Sequence, residues 1–179
     1  MTSNGDATIA EIVASKLRDI PDFPLPGVVF KDYTPLIADG AALAAVVGDI
    51  AQRYRGDVDV VVGIEARGFI LGAAVAYDLG LGMVPVRKAG KLPGETIQES
   101  YTLEYGTAEI EVHADAFTPG QRVLIIDDVL ATGGTAAATC QLVERAGAVV
   151  AGVDVVLELG FLNGREKLVG RPVHAILAV

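Results

Sequence analysis

The segment Val123 to Thr135 reads Val-Leu-Ile-Ile-Asp-Asp-Val-Leu-Ala-Thr-Gly-Gly-Thr. Four apolar residues run into two adjacent carboxylates, and small residues then open a helical stretch. A continuous apolar run of this kind reads as a strand buried on both faces, which requires helices on both sides of its sheet. In such sheets ligands bind at the carboxyl ends of the strands. Backbone N–H groups of Ala131, Thr132, Gly133, Gly134 and Thr135, with the two Thr hydroxyls, can surround a phosphate at the positive end of the following helix. Two carboxylates at a strand end are costly unless they bind something. Asp127 and Asp128 therefore face a hydroxyl-bearing group beside the phosphate, and a sugar phosphate meets both demands.

The rest of the chain repeats the same alternation. Ile9, Ile12, Val13, Leu17 and Ile20 fall on one helical stripe, which predicts a helix over residues 8–20. Pro21, Pro24, Pro26 and Gly27 form a rigid loop after it, and Val28 to Phe30 reads as a short strand. Asp39 is placed to cap a helix reaching about Tyr54. Val58 to Ile64 reads as a buried strand, Arg67 to Leu79 as a helix stopped by Gly80, and Met83 to Arg87 as a second core strand. Val123 to Ile126 is a third, followed by a helix from Gly134 to Ala146. Val149 to Val156 and His174 to Val179 complete the set. Strand–helix–strand alternation with doubly buried strands predicts an α/β fold around a parallel sheet. Between Lys88 and Phe117 the pattern changes to an antiparallel hairpin, Ile97 to Leu103 and Ala108 to His113, around Tyr105-Gly106. A long excursion of that kind reads as a lid over an α/β core.

Composition narrows the chemistry. With 179 residues, the chain fits one domain, 1–179. The longest apolar stretch, Gly68 to Tyr77, is about half the ~20 residues of a membrane span. Met1 to Asp19 lacks the basic, apolar and small-residue sequence of a secretory signal, and one cysteine, Cys140, suits a reducing cytoplasm. One Cys and two His exclude a His/Cys structural zinc site. A net charge of −9 argues against nucleic acid or an anionic membrane as partner, and makes any basic cluster informative. Arg87, Lys88 and Lys91 form such a cluster. Nucleotide-loop motifs fail on spacing: Gly90-Lys91 is followed by Leu92 and preceded by Pro85 where a Gly is needed. Pro85 also stands where Gly80-Leu81-Gly82 would need its third glycine. Ser3, Ser15 and Ser100 lie in no Gly-x-Ser-x-Gly turn, which argues against a serine hydrolase.

The Val123–Thr135 segment resembles the phosphoribosyl-pyrophosphate (PRPP) motif of type I phosphoribosyltransferases. Four further segments resemble the adenine phosphoribosyltransferases of that family: Phe23-Pro-Leu-Pro-Gly-Val-Val-Phe-Lys-Asp32, Gly63-Ile-Glu-Ala-Arg-Gly-Phe69, Arg87-Lys-Ala-Gly-Lys-Leu-Pro-Gly94 and Ser100-Tyr-Thr-Leu-Glu-Tyr-Gly106. In order and spacing the resemblance covers the chain from about Ile9 to Val179. It implies a parallel-sheet type I phosphoribosyltransferase fold with helices on both faces, an N-terminal helix and base-binding hood segment (residues 1–35) and a flexible β-hairpin lid (residues 88–117).

The implied reaction is adenine plus PRPP giving AMP plus pyrophosphate, a step of purine salvage. Ala131 to Thr135 would take the 5′-phosphate, and Asp127 and Asp128 the ribose hydroxyls and the positive charge developing on the ring. Arg67, Arg87, Lys88 and Lys91 would meet pyrophosphate, with the direct contact open between Lys88 and Lys91. Mg²⁺ is the expected cofactor, held mainly by PRPP and water with no direct protein ligand. Backbone groups of Val29 and Lys31 would read the adenine edge, with Phe30 and Leu159 as facing walls. The family further implies a homodimer in which the Arg87 segment reaches the neighbouring site.

Ala131 stands where hypoxanthine/guanine enzymes carry an acid for purine nitrogen 7, and some xanthine enzymes share the Ala, so xanthine is the nearest alternative base. A PRPP-sensing repressor is the rival of another class. It needs a DNA-binding module, and the residues before the first core strand are occupied by the helix and the Pro-rich segment, with an acidic balance. The resemblance makes Glu104 the acid at purine nitrogen 7, brought in by the lid. Glu104→Gln keeps shape and a donor, whereas Glu104→Leu loses both. A positioned acid contributes about 10² to 10⁴ in rate. Glu104→Leu is expected to cost more kcat than Glu104→Gln in steady-state assays, with PRPP affinity little changed. A Leu variant within about threefold of the wild-type kcat would remove the acid role.

Overall fold

The computed structural model describes residues 7–102 and 106–179. Glu104 thus lies outside the described residues. The first helix, α1 (Ile9–Lys16), starts at a capping box in which Thr8 and Glu11 satisfy each other's backbone N–H groups. It ends four residues before the predicted boundary. Pro21 disfavours a helical Ile20, and Arg18–Pro21 instead becomes β1, paired antiparallel with β2 (Val29–Asp32). Oppositely charged residues face each other across this ribbon: Arg18 opposite Asp32, and Asp19 opposite Lys31. The ribbon stands apart from the main sheet, as a hood does. A short helix, α2 (Thr34–Ala38), absent from the sequence reading, follows with Pro35 in its first turn. Asp39 accepts from the N–H groups of Ala41 and Ala42 and starts α3 (Gly40–Tyr54).

The core is β3 (Val60–Ile64), α4 (Gly68–Leu79), β4 (Gly82–Lys88), β5 (Thr96–Thr102), β6 (Thr107–His113), β7 (Arg122–Leu130), α5 (Gly134–Arg145), β8 (Val149–Glu158) and β9 (Val173–Ala178). Among the described residues the sheet order is β5-β6-β4-β3-β7-β8-β9. Strands β4, β3, β7, β8 and β9 run parallel, and the hairpin β5–β6 joins antiparallel at the β4 edge. Along β3 and β7 successive side chains serve opposite cores. Val60, Val62, Ile64, Val123 and Ile125 pack with α5, while Val61, Leu124 and Ile126 pack with α3 and α4. Both faces are therefore covered.

Two boundaries differ from the sequence reading with consequences for the site. β7 continues past Ile126 to Leu130, because β8 goes on pairing with it (Asp127 opposite Val155, Leu130 opposite Glu158) after β3 has turned away. Asp127 and Asp128 thus stand inside a strand rather than after it. The lower hairpin is also part of the core: Ile110, Val112 and Phe117 are buried, and Glu111 pairs opposite Arg87.

Glycine fixes the approach of α4 to β3. A Cβ at Gly72 would come within 3.1 Å of Gly63 Cα, and one at Gly68 within 2.7 Å of the Ile126 carbonyl oxygen. Overpacking a tight core costs about 1–3 kcal/mol. Gly72→Val is accordingly expected to lower the thermal midpoint by several degrees, about 2–4 °C per kcal/mol for a chain of this size. A midpoint equal to wild type would mean that the Gly63–Gly72 contact does not set the packing.

Candidate active site

Strands β3 and β7 are neighbours, but their crossovers leave in opposite directions. The β3–α4–β4 unit covers one face and the β7–α5–β8 unit the other. The connections after β3 and β7 splay apart and leave a crevice at their carboxyl ends. It forms a cleft of about 420 Å³, continuous with a smaller recess of about 80 Å³ over the loop before α5. The cleft brings together Val29, Phe30 and Lys31 of the hood, Arg67 after β3, Lys88 at the end of β4, Asp127 and Asp128 of β7, Ala131, Thr135 and Leu159. The recess adds Thr132, Gly133 and Gly134.

In the loop, Gly133 takes a left-handed conformation (φ 75°) as the residue capping α5. Thr135 Oγ1 donates to Tyr101 Oη at 3.1 Å, and a Cβ on Gly134 would come within 3.0 Å of the Tyr101 ring. The hairpin therefore touches the loop through an aromatic side chain to which the sequence alone assigned no role.

The two carboxylates are strongly perturbed. Asp128 is buried, and burial pushes its pKa up while the Arg67 guanidinium pulls it back. Arg67 Nε lies 2.9 Å from Asp128 Oδ2, close enough for charge pairing but without the alignment of a hydrogen bond, so among the described residues this buried oxygen lacks a hydrogen-bond partner. Asp127 accepts from the Asp128 N–H at 2.9 Å. Burial first, and the Asp128 charge second, drive its pKa well above the ordinary value.

Arg67 also lies over the rings of Phe30 (5.1 Å to the centroid) and Tyr33 (5.4 Å). Tyr33 donates its hydroxyl to the Arg67 carbonyl at 3.2 Å. In the hood, Lys31 lines the cleft, and its Nζ is paired with Asp19 across the ribbon at 2.8 Å.

Arg87 and Lys91 stand beside the cleft rather than in its lining. Arg87 donates to Glu65 (Nε–Oε2, 3.2 Å) and to the Lys91 carbonyl. Glu65 lines the cleft and accepts from the Lys88 N–H at 3.0 Å. Burial raises its pKa, but the Lys88 N–H and Arg87 outweigh that and hold the carboxyl below its usual range. Glu111, nearly fully buried on β6, accepts from the N–H groups of Lys91 and Leu92, both at 2.7 Å, and from Thr96 and Gln98 side chains. Desolvation opposes its charge, yet these backbone donors pull its pKa down to about 2. Sequence reading missed Glu65 and Glu111 as partners of the basic loop; each lies 20 or more residues from it along the chain, so no local pattern marks the contact.

A crevice at a strand-order reversal, with paired carboxylates beside a glycine-bearing loop at the start of a helix, has the features of a site for a phosphorylated sugar. In agreement, the description of the phosphoribosyl transferase domain matches residues 36–166. A protein of Salinispora tropica bearing the name adenine phosphoribosyltransferase is 64% identical over 95% of this chain and 91% of its own. A crystal structure of adenine phosphoribosyltransferase from Thermoanaerobacter pseudethanolicus superposes with a TM-score of 0.92 at 46% identity, covering 95% of this chain and 99% of that one. The Saccharomyces cerevisiae enzyme, complexed with an imino-altritol bisphosphate and adenine, gives 0.90 at 38% identity, covering 94% of this chain and 98% of its own. The chain belongs to the adenine phosphoribosyltransferase family.

The carboxylate pair should oppose stability. Because the folded pKa of Asp127 is raised, its protonated form favours folding below the unfolded value of ~3.9, and that contribution is lost as pH rises through the folded pKa. Asp127→Asn is expected to melt above wild type at neutral pH, with the gap closing below about pH 4. Its turnover, and that of Asp128→Asn, should fall by about 10² if the charges face a cationic ring in the transition state. Wild-type turnover in both variants would reduce the pair to structure.

Proposed function

We propose that the cleft transfers the 5-phosphoribosyl group of PRPP to adenine, releasing pyrophosphate and AMP in purine salvage. The observation that carries this reading is the junction of three chemically distinct regions in one crevice: a phosphate loop, a carboxylate pair and an apolar slot. Ala131 to Thr135 bind the 5′-phosphate through backbone N–H groups and Thr hydroxyls. Asp127 and Asp128 orient the ribose and offset the positive charge that grows on it as pyrophosphate departs. Raised pKa values fit this task, since charge on the pair becomes favourable when the ring turns cationic beside it.

Arg67 and Lys88, both in the cleft lining, face pyrophosphate in this reading, with Lys91 and Arg87 on the loop beside it. The Arg87 segment extends to the neighbouring site of a homodimer. Adenine lies between Phe30 and Leu159, read at its edge by the backbone of Val29 and Lys31. Arg67 lies over the Phe30 ring at 5.1 Å, so the cation proposed for the pyrophosphate side borders the proposed base slot. Glu104 supplies the acid at purine nitrogen 7.

Mg²⁺ fits as a partner of the diphosphate. Among the described residues no three His, Cys, Asp or Glu side chains cluster to hold a metal, but Asp128 Oδ2 is a buried oxygen without a hydrogen-bond donor beside the cleft. An ion held by diphosphate and ribose oxygens, with waters, would neutralise the leaving pyrophosphate. The working compartment in this reading is the cytoplasm; no helix among the described residues is long and apolar enough to cross a membrane.

A panel of adenine, hypoxanthine, guanine, xanthine and uracil with PRPP and Mg²⁺, read as pyrophosphate release, tests the assignment. A site that hydrogen-bonds the exocyclic amino group leaves a buried acceptor unpaired against a 6-oxo base, so adenine should lead by about 10³ or more in kcat/KM. Comparable values for hypoxanthine or xanthine would overturn the base.

A further inference from the structure

The back of the phosphate loop is set against a second piece of backbone far along the chain. A turn of 3₁₀ helix, Gly164–Leu168, follows β8 and packs directly behind Ala131–Gly133. A Cβ on Gly133 would come within 2.1 Å of the Gly164 carbonyl oxygen. One on Gly164 would come within 2.1 Å of the Ala131 carbonyl oxygen and 2.9 Å of the Gly133 nitrogen. Neither contact leaves room for a side chain, and each is backbone on backbone, so neither can yield by a rotamer change.

The turn is pinned at both ends. Leu168 is buried in the α5-side core. Arg165 makes a two-pronged pair with Glu158, its Nε at 3.0 Å from Oε1, and donates to the Val173 carbonyl at 2.7 Å. Glu158 is only 9% exposed and ends β8 directly opposite Leu130, the last residue before the loop. Next to it, the Leu159 N–H donates to the Leu130 carbonyl at 2.9 Å. The same stretch of chain thus holds the entrance of the loop through β8 and its back through Gly164.

We propose that Gly164 and the Arg165–Glu158 pair are positioning residues for the 5′-phosphate: they fix the seat of the Ala131–Gly134 loop. They thereby govern affinity for the phosphate-bearing end of the substrate separately from the pyrophosphate side. The inference rests on the reading of that loop as the 5′-phosphate cradle. Hydrogen bonds from backbone N–H groups to phosphate oxygens keep their strength only over a few tenths of an ångström around 2.9 Å. A loop pushed back by a methyl group loses several of them together.

Gly164→Ala is a clean probe, because Gly164 has no positive φ and alanine meets only the steric contact with the loop. Gly160→Ala is its control: it lies in the same connection, and its Cβ would meet only the Val179 carbonyl oxygen at 3.4 Å. Arg165→Gln loosens the pin without adding bulk. Calorimetric binding of ribose 5-phosphate and of magnesium pyrophosphate is measured for each variant beside wild type. A displacement of about 1 Å costs up to 10²-fold in such sites, so Gly164→Ala should weaken ribose 5-phosphate by about 10-fold or more. Arg165→Gln should do so by a smaller factor, with pyrophosphate affinity within about twofold of wild type in both and Gly160→Ala unchanged for either ligand.

An unchanged affinity of Gly164→Ala for ribose 5-phosphate, or an equal loss for both ligands, would overturn the proposal. If Gly164→Ala does not fold, Arg165→Gln decides the matter by the same comparison, and its parity with wild type overturns it. Wild type that binds no ribose 5-phosphate would remove the loop's assignment itself, and this inference with it.

Discussion

Everything at the site follows from the opposite departures of two adjacent parallel strands. β3 sends its crossover to one face and β7 to the other, so no connection can roof the gap between their ends. β7 then outlasts β3 by four residues, because β8 supplies a partner on one side only. Asp127 and Asp128 occupy that half-paired stretch. There the backbone is held as a strand while one edge faces the cleft. Gly63, Gly68 and Gly72 let α4 come close enough for its first turn to touch the same edge, which closes the floor beneath the pair.

Charge in the cleft is organised by pairing across elements rather than by a surplus of one sign. The chain carries nine more acidic than basic residues, yet its cleft must take a ligand with several negative charges. Arg67 is held near Asp128, and Arg87 by Glu65. Among the described residues Glu111 pairs with no side-chain cation; its carboxylate gathers the backbone N–H groups of Lys91 and Leu92. That buried charge shapes the basic loop, since N–H groups that would need solvent in an open loop are satisfied from inside the sheet. These bonds tie the basic loop to the hairpin, and Tyr101 ties the hairpin to the loop before α5 through Thr135.

Sequence and structure divide the account along a physical line. The buried strands, the glycine stops and the cap at Asp39 were legible because each depends on neighbours within one turn or one strand. The loop before α5 was legible for the same reason: Ala131 to Thr135 are consecutive small residues that open a helix. The resemblance of five separate segments added the hood and the base, which no single segment specifies. The error at residues 8–20 was local pattern losing to tertiary pairing. Ile20 continues the helical stripe, but β2 offers Arg18–Pro21 a full antiparallel partner and two cross-strand ion pairs.

What the sequence by itself determined is therefore the class of fold and the make-up of the pieces: a parallel α/β core, a glycine-bearing loop opening a helix, adjacent carboxylates and a basic cluster. Only the tertiary structure decided how they meet. It put the carboxylates inside β7 rather than beyond it, laid Arg67 over Phe30 and Tyr33, and paired Lys31 with Asp19 across the ribbon. It also set Gly164 against a loop some thirty residues earlier. Contacts of this second kind join residues distant in the chain, through packing distances and buried charge. A local pattern encodes which groups can act, but the distances between them exist only once the sheet order is fixed.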